Sequence, residues 1–214
     1  MSKKLNILIT AGPTQEPLDP VRYLTNASSG KMGYALAHAA ITLGHRVTLV
    51  SGPVSLKPPN KAKFIPVQTA LQMRTQVMRH FAKQDVVMMV AAVADYRPKH
   101  FSKQKIKKTR SSFTLKLVRN PDILKEICSK KRKNQIIVGF AAETEKFLQN
   151  AKQKLHSKKC DWIILNDVSQ KGIGFNSDKN KITLLNQKGV FLHLGPSAKK
   201  NLASIILQKI IRSC

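Results

Sequence analysis

The chain has 214 residues, 42% of them hydrophobic, which is enough for one domain with a substantial core and argues against wholesale disorder. Lysine and arginine number 38 against 11 aspartate and glutamate residues, for a formal net charge of +27. No stretch approaches the roughly 18 consecutive apolar residues that span a bilayer, and the three cysteines are too scattered for a disulfide framework or a C-x-x-C metal clip. The apolar run after the N-terminal lysines is better interpreted as a first buried strand than as a signal peptide. We therefore expect a cytoplasmic location and no membrane partner.

The positive charge indicates an affinity for anions, because a strong excess of one sign attracts the other. Nucleic acid and phosphorylated small molecules are both candidate partners. Lysines that simply cover solvated faces would give the same excess. Aromatic side chains make up 6% of the residues, so base stacking has little to use. We expect nucleic acid to bind non-specifically at most.

Apolar runs alternate with helix-like segments along the chain. In chain order the pattern predicts a strand at 6–12, a helix at 31–44, a strand at 46–53, a helix at 68–83, a strand running into a loop at 85–96, a helix at 121–130, a strand at 135–144, a helix at 143–158, a strand at 161–169, a hairpin at 181–194 and a helix at 197–212. Continuously apolar strands separated by helices are typical of a parallel sheet covered on both faces. The expected fold is α/β, a Rossmann-like three-layer sandwich with a mainly parallel sheet and an appended β-hairpin. We expect one domain at 1–214, with a flexible basic flap at about 97–112 and the hairpin at about 180–194.

Four predicted strands end in polar or glycine-rich sequence. These ends are "TAGPTQEP", "AAVADYRP", "GFAAET" and "NDVS". Ligands of open α/β sheets bind beyond the carboxyl ends of the strands. We therefore expect all four segments to converge on one edge of the sheet.

The stretch "RYLTNASSGKMG" ends in a Gly-Lys pair, as a P-loop does, but Met32 stands where that motif needs a hydroxyl and Thr25 where it needs a glycine. Its polar residues lead into the helix predicted at 31–44, and they are Asn26, Ser28, Ser29 and Gly30. Free N–H groups, short hydroxyls and the helix dipole would make this turn an anion site. Ordinary helix capping explains the same residue types. The number of polar residues, and Arg22 four positions before Asn26, favour a functional turn.

The segment "YRPKHFSKQKIKKTRSS" at 96–112 is basic and has no apolar period. Long connections of this kind are commonly lids or disordered segments, and "KIKK" is either a solvated charge run or a lid over a polyphosphate. The following "NPDIL" predicts a helix start, with Asn120 as N-cap and Pro121 as the first helical residue. Asp122 is then a candidate ligand for a phosphate-bound metal.

No nucleophile with a partnered base and no carboxylate pair is evident, and the six histidines lack metal-binding spacing. This inventory favours a reaction in which the substrates bring their own nucleophiles. The protein would then supply positioning and charge stabilisation.

Taken together, the motifs resemble the bacterial phosphopantothenate–cysteine ligase family of coenzyme A biosynthesis. The resemblance runs in order through "ITAGPTQEPLDPVRYLTNASSGKMG", "AAVADYRP", "KIKK", "NPDIL", "VGFAAET", "KLHSKK" and "NDVS…GFNSDKN", and covers the chain from Leu5 onward. It implies a CTP-dependent ligation of 4′-phosphopantothenate and L-cysteine through an acyl-cytidylate intermediate, with Mg²⁺ accompanying the triphosphate.

The resemblance also implies roles for individual residues. Asn26 would handle the acyl-cytidylate with Arg22 beside it, and Lys105 would be the flap lysine at the phosphates; these three would be the catalytic residues. Ser28, Ser29 and Gly30 would join Asn26 in holding the substrate phosphate and the acyl intermediate. The nucleotide would be bound by Lys105 together with Met89, Val90, Ala91, Asp95, Pro121, Asp122, Ile123, Leu124, Phe140, Lys154 and Lys158.

Family members are dimeric and are often fused to a flavin-dependent decarboxylase. Because Met1 stands just before the first predicted strand, we expect the decarboxylase to be a separate chain and no FMN to bind here. A homodimer is also expected. The CTP preference follows from resemblance to the bacterial branch, since eukaryotic relatives use ATP.

The sequence argues against two other function classes. A nicotinamide oxidoreductase would need G-x-G-x-x-G after the first strand or a Y-x-x-x-K pair, and the sequence has neither. A nucleic-acid-binding protein is suggested by the charge, but no recognised binding module is present.

Overall fold

The computed structural model describes residues 3–108, 111–143, 147–167 and 177–213. Twelve strands and five helices occupy these ranges. In chain order they are β1 (Asn6–Ala11), β2 (Gln15–Pro17), β3 (Tyr23–Thr25), α1 (Lys31–Thr42), β4 (Arg46–Ser51), β5 (Lys63–Pro66), α2 (Ala70–Phe81), β6 (Val86–Met89), β7 (Tyr96–Pro98), β8 (Leu117–Arg119), α3 (Ile123–Ser129), β9 (Ile136–Glu143), α4 (Phe147–Lys158), β10 (Trp162–Asp167), β11 (Lys179–Asn186), β12 (Gly189–Ala198) and α5 (Lys199–Ile211). None of the described helices is long and apolar enough to cross a membrane.

Eight strands form one sheet in the order β12-β11-β10-β9-β6-β1-β4-β5. The six strands from β10 to β5 run parallel, and the β11–β12 hairpin adds two antiparallel strands beside β10. The predicted fold class, a mainly parallel α/β sheet with an appended hairpin, is confirmed. The strands β10, β9, β6 and β1 are neighbours, so the four polar strand ends do meet at one edge. The part of "NDVS" after Asp167 and Thr144 of "GFAAET" lie outside the described residues.

Helices cover both faces of the sheet because successive strand residues point to opposite sides. On one face Ile7 and Ile9 of β1 pack in a core with α1 and α5. On the other face Leu8 packs in a second core with α2, α3 and α4. Both cores are built from fully or nearly fully buried aliphatic side chains, and this gives the three layers that the sequence predicts.

Five short strands are absent from the sequence prediction. The edge strand β5 pairs with β4, β2 pairs with β3, and β7 pairs with β8. Each has three or four residues, which is too short for an alternating pattern to stand out. The connection at 97–112 begins in β7, and its other described residues form no strand or helix. Beyond β7 the Lys99 N–H extends the β7–β8 pairing by donating to the Lys116 carbonyl at 2.9 Å.

Gly52, at the end of β4, allows the loops after β1 and β4 to touch. A Cβ atom added there would stand 1.7 Å from the carbonyl oxygen of Pro13. Gly195 in β12 has nothing within 4 Å of the same position.

We therefore predict that Gly52→Ala lowers the free energy of unfolding by about 2 kcal/mol or more, because backbone must move to admit the methyl group. The matched control Gly195→Ala should leave stability within about 0.5 kcal/mol of wild type. Urea unfolding curves measure both. Equal stability of the two variants would contradict the close approach of these loops.

Candidate active site

The segment 90–95 leaves the sheet at the end of β6 because a neighbouring side chain captures its backbone. The hydroxyl of Thr10, fully buried in β1, accepts hydrogen bonds from the N–H groups of Val90 and Ala91 at 3.0 and 3.1 Å. These donors would otherwise continue the parallel ladder. The strand therefore ends at Met89, and the chain turns out over the edge of the sheet.

Further hydrogen bonds fix segment 90–95 from both sides. The Thr14 hydroxyl accepts from the Ala94 N–H at 3.0 Å. The Asn26 amide donates to the Ala92 carbonyl at 3.1 Å, and the Asn120 amide donates to the Ala94 carbonyl at 2.8 Å. The loop before α1 and the loop before α3 are thus both tied to the same six residues.

A first cavity of about 490 Å³ opens on one side of segment 90–95. It contains ten of the residues expected to bind the nucleotide: Met89, Ala91, Asp95, Pro121, Asp122, Ile123, Leu124, Phe140, Lys154 and Lys158. Its wall also includes residues that were not among those expected to bind the nucleotide, namely Val93, Ala94, Tyr96, Arg119 and Asn120. Val90 lines a second cavity instead, and Lys105 is exposed on the flap and lines neither.

The helix start at "NPDIL" differs from the prediction. The N-cap of α3 is Asp122, whose Oδ1 accepts from the Lys125 N–H at 2.9 Å, and not Asn120. Asn120 is occupied by its bond to Ala94 and by a 3.0 Å bond from Arg97. Pro121 consequently lies before the helix. The prediction of Asn120 as cap is wrong because a tertiary contact takes its side chain.

Both carboxylate oxygens of Asp122 are occupied, since Oδ2 accepts from the Lys158 ammonium. Burial alone would raise the pKa of this carboxyl, but the bonds from Lys158 and Lys125 outweigh it and the pKa is lowered. Among the described residues no group of three or more His, Cys, Asp or Glu could hold a metal ion. The geometry therefore does not favour Asp122 as a direct metal ligand, and its assignment as one stays a prediction.

The two lysines predicted on one face of α4 do project into the first cavity. The Lys154 ammonium donates to the Phe140 carbonyl at 3.0 Å, and Lys158 is held by Asp122. The cavity thus presents two oriented ammonium groups beside the start of α3.

A second cavity of about 380 Å³ lies on the other side of segment 90–95. It contains all four residues expected to hold the substrate phosphate and acyl intermediate, namely Asn26, Ser28, Ser29 and Gly30. Ala91, Val93, Asp95, Phe140 and Lys154 line both cavities. The two sites predicted from the sequence are therefore adjacent and share a wall.

The turn before α1 suits an anion because its cap residue has no side chain. Gly30 is the N-cap, with a φ of 74°, and no side chain caps the first turn. A Cβ atom there would stand 2.9 Å from Val54. The Ser28 hydroxyl accepts from the Gly30 N–H at 3.4 Å instead of reaching into the helix. The N-cap is therefore a glycine, and the Ser28 hydroxyl binds the Gly30 N–H instead of an N–H inside the helix.

Two lysines in this second cavity were not foreseen. The Lys31 ammonium pairs with Asp178 at 2.6 Å, and the buried Lys199 donates to the Ser177 carbonyl at 2.5 Å. Burial, together with the charge of Lys31, lowers the pKa of Lys199 to about 8, while Asp178 opposes the shift. Lys199 lies 173 positions after Asn26, and no local sequence signal links the two residues. Buried Asn166 and Asn180 complete this side of the cavity.

Arg22 does not reach either cavity. Its guanidinium binds Asp19 and the carbonyl of Ile106 on the flap. The structure thus separates Arg22 from Asn26, although the sequence places them four residues apart.

The amino-acid sequence matches a known protein family along nearly its whole length. Residues 2–213 match the DNA/pantothenate metabolism flavoprotein C-terminal domain family (DFP). The chain is 48% identical over 206 residues to the coenzyme A biosynthesis bifunctional protein CoaBC of Bacillus subtilis (strain 168), covering 96% of this chain and 50% of that protein. The chain therefore spans about half the length of the curated relatives that it matches.

Solved structures agree with the fold. The crystal structure of the C-terminal domain of CoaBC superposes with a TM-score of 0.84 at 40% identity, covering 100% of this chain and 96% of that one. A mutant of Cab2 in complex with phosphopantothenate-cysteine superposes with a TM-score of 0.79 at 19% identity, covering 98% and 86% of the two chains. At that identity the second likeness concerns the fold alone.

The position of Asp122 at the start of α3 can be tested by stability. Asp122→Ala removes both the cap and the bond to Lys158, whereas Asp122→Asn keeps an equally good cap. We predict that the alanine variant is less stable than the asparagine variant by about 1 kcal/mol. Urea unfolding of both proteins measures the difference. Equal losses would show that the side chain does not cap α3.

Proposed function

Because the chain belongs to the DNA/pantothenate metabolism flavoprotein C-terminal domain family, we propose that it is a phosphopantothenate–cysteine ligase. The reaction joins 4′-phosphopantothenate to L-cysteine at the expense of CTP and yields 4′-phosphopantothenoyl-cysteine. The product is the ligand named in the Cab2 complex, and the CoaBC relatives are coenzyme A biosynthesis proteins.

The observation that carries this proposal is the wall shared by the two cavities. A nucleotide in the first cavity and an acyl substrate in the second would meet at Ala91, Asp95 and Phe140. A reaction between a carboxylate and a nucleotide phosphorus needs this juxtaposition, since positioning supplies much of the rate enhancement when the substrates carry the reacting groups.

In the first step the carboxylate of 4′-phosphopantothenate attacks the α-phosphorus of CTP. The bond from that phosphorus to the bridging oxygen breaks, and pyrophosphate leaves with the electron pair. In the second step the cysteine amine attacks the acyl carbon, an amide forms, CMP leaves and the amine loses a proton. Lys154 and Lys158 would stabilise phosphate charge in the first cavity, and Asn26 would orient the acyl-cytidylate.

The phosphate of the acyl substrate would lie at the start of α1. The N–H groups that follow Gly30 point out of the helix there, and Ser28 and Ser29 are in reach. Lys31, the first residue of α1, and Lys199 would add positive charge to this cavity. This end of the cavity thus suits the phosphorylated substrate.

Several finer features remain predictions. The preference for CTP over ATP and the homodimer follow from the resemblance, and the cytoplasmic location is the expectation drawn from the sequence. Mg²⁺ would arrive on the triphosphate oxygens, as it commonly does with nucleotides, because the described residues offer no cluster of metal ligands.

The proposal is tested by pyrophosphate release from purified protein with 4′-phosphopantothenate, Mg²⁺ and either CTP or ATP, first without cysteine and then with it. We expect release with CTP that requires 4′-phosphopantothenate, followed by CMP and the amide when cysteine is added. Pyrophosphate release with ATP but not with CTP would agree with a ligase and contradict the preference for CTP. No release with either nucleotide from folded protein would contradict the proposed function.

Lys199 gives the proposed phosphate site a pH dependence. Its ammonium is charged below its pKa of about 8 and loses that charge as the pH rises. The KM for 4′-phosphopantothenate in the first step should therefore rise roughly tenfold or more between about pH 7.5 and about pH 9.5, while the KM for CTP stays nearly constant. Pyrophosphate release across this range measures both constants.

Lys199→Arg is the matched control, because arginine stays charged over the whole range. Its KM for 4′-phosphopantothenate should not rise with pH. A KM for 4′-phosphopantothenate that does not change with pH in wild type would contradict a role of Lys199 in phosphate binding. An equal rise of this KM in the arginine variant would contradict it as well.

A further inference from the structure

The side chain of Asp19 joins two parts of the molecule that are far apart in sequence. It lies in the turn between β2 and β3, and none of its surface is exposed. The carboxylate accepts from the N–H groups of Val21 and Arg22, both at 2.9 Å. Arg22 Nε and Nη2 bind its other oxygen at 3.0 and 2.5 Å. That same oxygen accepts from the N–H of Ile106, on the flap, at 3.1 Å.

The flap, at about 97–112, is attached to this turn at more than one point. Arg22 Nη2 also donates to the Ile106 carbonyl at 2.9 Å, so both backbone groups of Ile106 are bound. The Ser102 N–H donates to the Leu18 carbonyl at 3.0 Å. A charged carboxylate bound on all sides is a stronger anchor than neutral hydrogen bonds.

The turn that holds the flap leads directly to the second cavity. Strand β3 ends at Thr25, whose hydroxyl donates to the Thr14 carbonyl at 2.8 Å, and Asn26 follows. The anchor of the flap and the acyl site are therefore parts of one hydrogen-bonded unit. Lys105 is the residue next to the anchored Ile106.

We infer that Asp19 is a positioning residue, which acts through Arg22 and Ile106 to fix the base from which Lys105 reaches the reacting phosphates. This inference rests on the proposed function for its catalytic part. It gives Arg22 a task in holding the flap instead of contact with the acyl intermediate. Arg22 holds the pKa of the Asp19 carboxyl far below its usual range, with the backbone N–H groups assisting and burial opposing, so the anchor persists at every pH used for assays.

The anchor is tested first without activity, by limited digestion of the full chain with trypsin. Cleavage after Lys105 requires the protease to pull Ile106 away from Asp19. We expect Asp19→Asn to speed this cleavage roughly tenfold or more, since it replaces a charge-assisted anchor by neutral bonds. Cleavage after Lys188, in the β11–β12 turn, should keep its wild-type rate. Equal acceleration at both sites, or none at Lys105, would overturn the anchor.

Two further variants sharpen this test. Ile106→Pro removes the flap donor and leaves Asp19 and Arg22 in place. Because trypsin does not cleave a Lys–Pro bond, this variant is followed by cleavage after the neighbouring Lys107, which should become faster. Glu126→Gln is a matched control, because Glu126 is likewise held by two arginine nitrogens, at 2.7 and 2.8 Å from Arg74. It should leave cleavage after Lys105 unchanged. Acceleration by Glu126→Gln would mean that general loosening, not the anchor, governs the flap.

The catalytic part is tested by a double-mutant cycle on kcat. Asp19→Asn and Lys105→Gln should each lower kcat by roughly tenfold or more, with smaller changes in the KM for CTP. If Asp19 acts through Lys105, Asp19→Asn should change kcat less than about twofold in the Lys105→Gln background. If the two substitutions lower kcat in the double variant by the product of their separate factors, Asp19 does not act through Lys105. Protection of Lys105 in a protein that lacks ligase activity would refute the proposed function and leave the anchor standing.

Discussion

The hydrogen bonds that hold segment 90–95 are the constraint on which the candidate site depends. Thr10 turns this segment out of the sheet, Thr14 holds its far end, and Asn26 and Asn120 attach the flanking loops to it. The segment forms the common wall of the two cavities together with Phe140 and Lys154, and these hydrogen bonds fix its backbone.

The sequence predicted the parts of the site that depend on topology. Parallel strands present their carboxyl ends at one edge of the sheet. The sequence alone therefore predicted that the polar ends of β1, β6, β9 and β10 lie close together. The turn at Ser28, Ser29 and Gly30 stood out because several polar residues precede a predicted helix, although helix capping explains the same residue types. The first prediction follows from sheet topology and the second from residue types near a helix start.

The remaining parts depend on contacts between distant segments. Asn120 is of a residue type that often caps helices. Its side chain bonds to Ala94 and Arg97 instead, and Asp122 caps α3. Lys199 lines the second cavity because α5 packs beside α1. The residues next to Lys199 in the sequence do not predict this position. Arg22 shows the same limit, since its partner Ile106 lies 84 positions away.

Several of the 11 acidic side chains have structural roles in the fold. Asp85 accepts from the N–H of Asn6 at 2.8 Å, and Asp161 accepts from the N–H of Ile137 at 2.8 Å, so each ties the starts of two neighbouring strands. Buried Glu16 accepts from the N–H of Ala70 at the start of α2. These acidic side chains satisfy backbone donors, and the excess of lysine is left to face solvent and the two cavities.

The central claim is that a carboxylate in one cavity attacks a nucleotide phosphorus in the other. It is tested most directly by running the complete reaction with 4′-phosphopantothenate labelled with ¹⁸O in both carboxylate oxygens, and analysing the CMP by mass spectrometry. The account predicts one labelled oxygen in each CMP, because the attacking oxygen stays with the phosphorus when the amide forms. Unlabelled CMP, formed together with the amide, would contradict it.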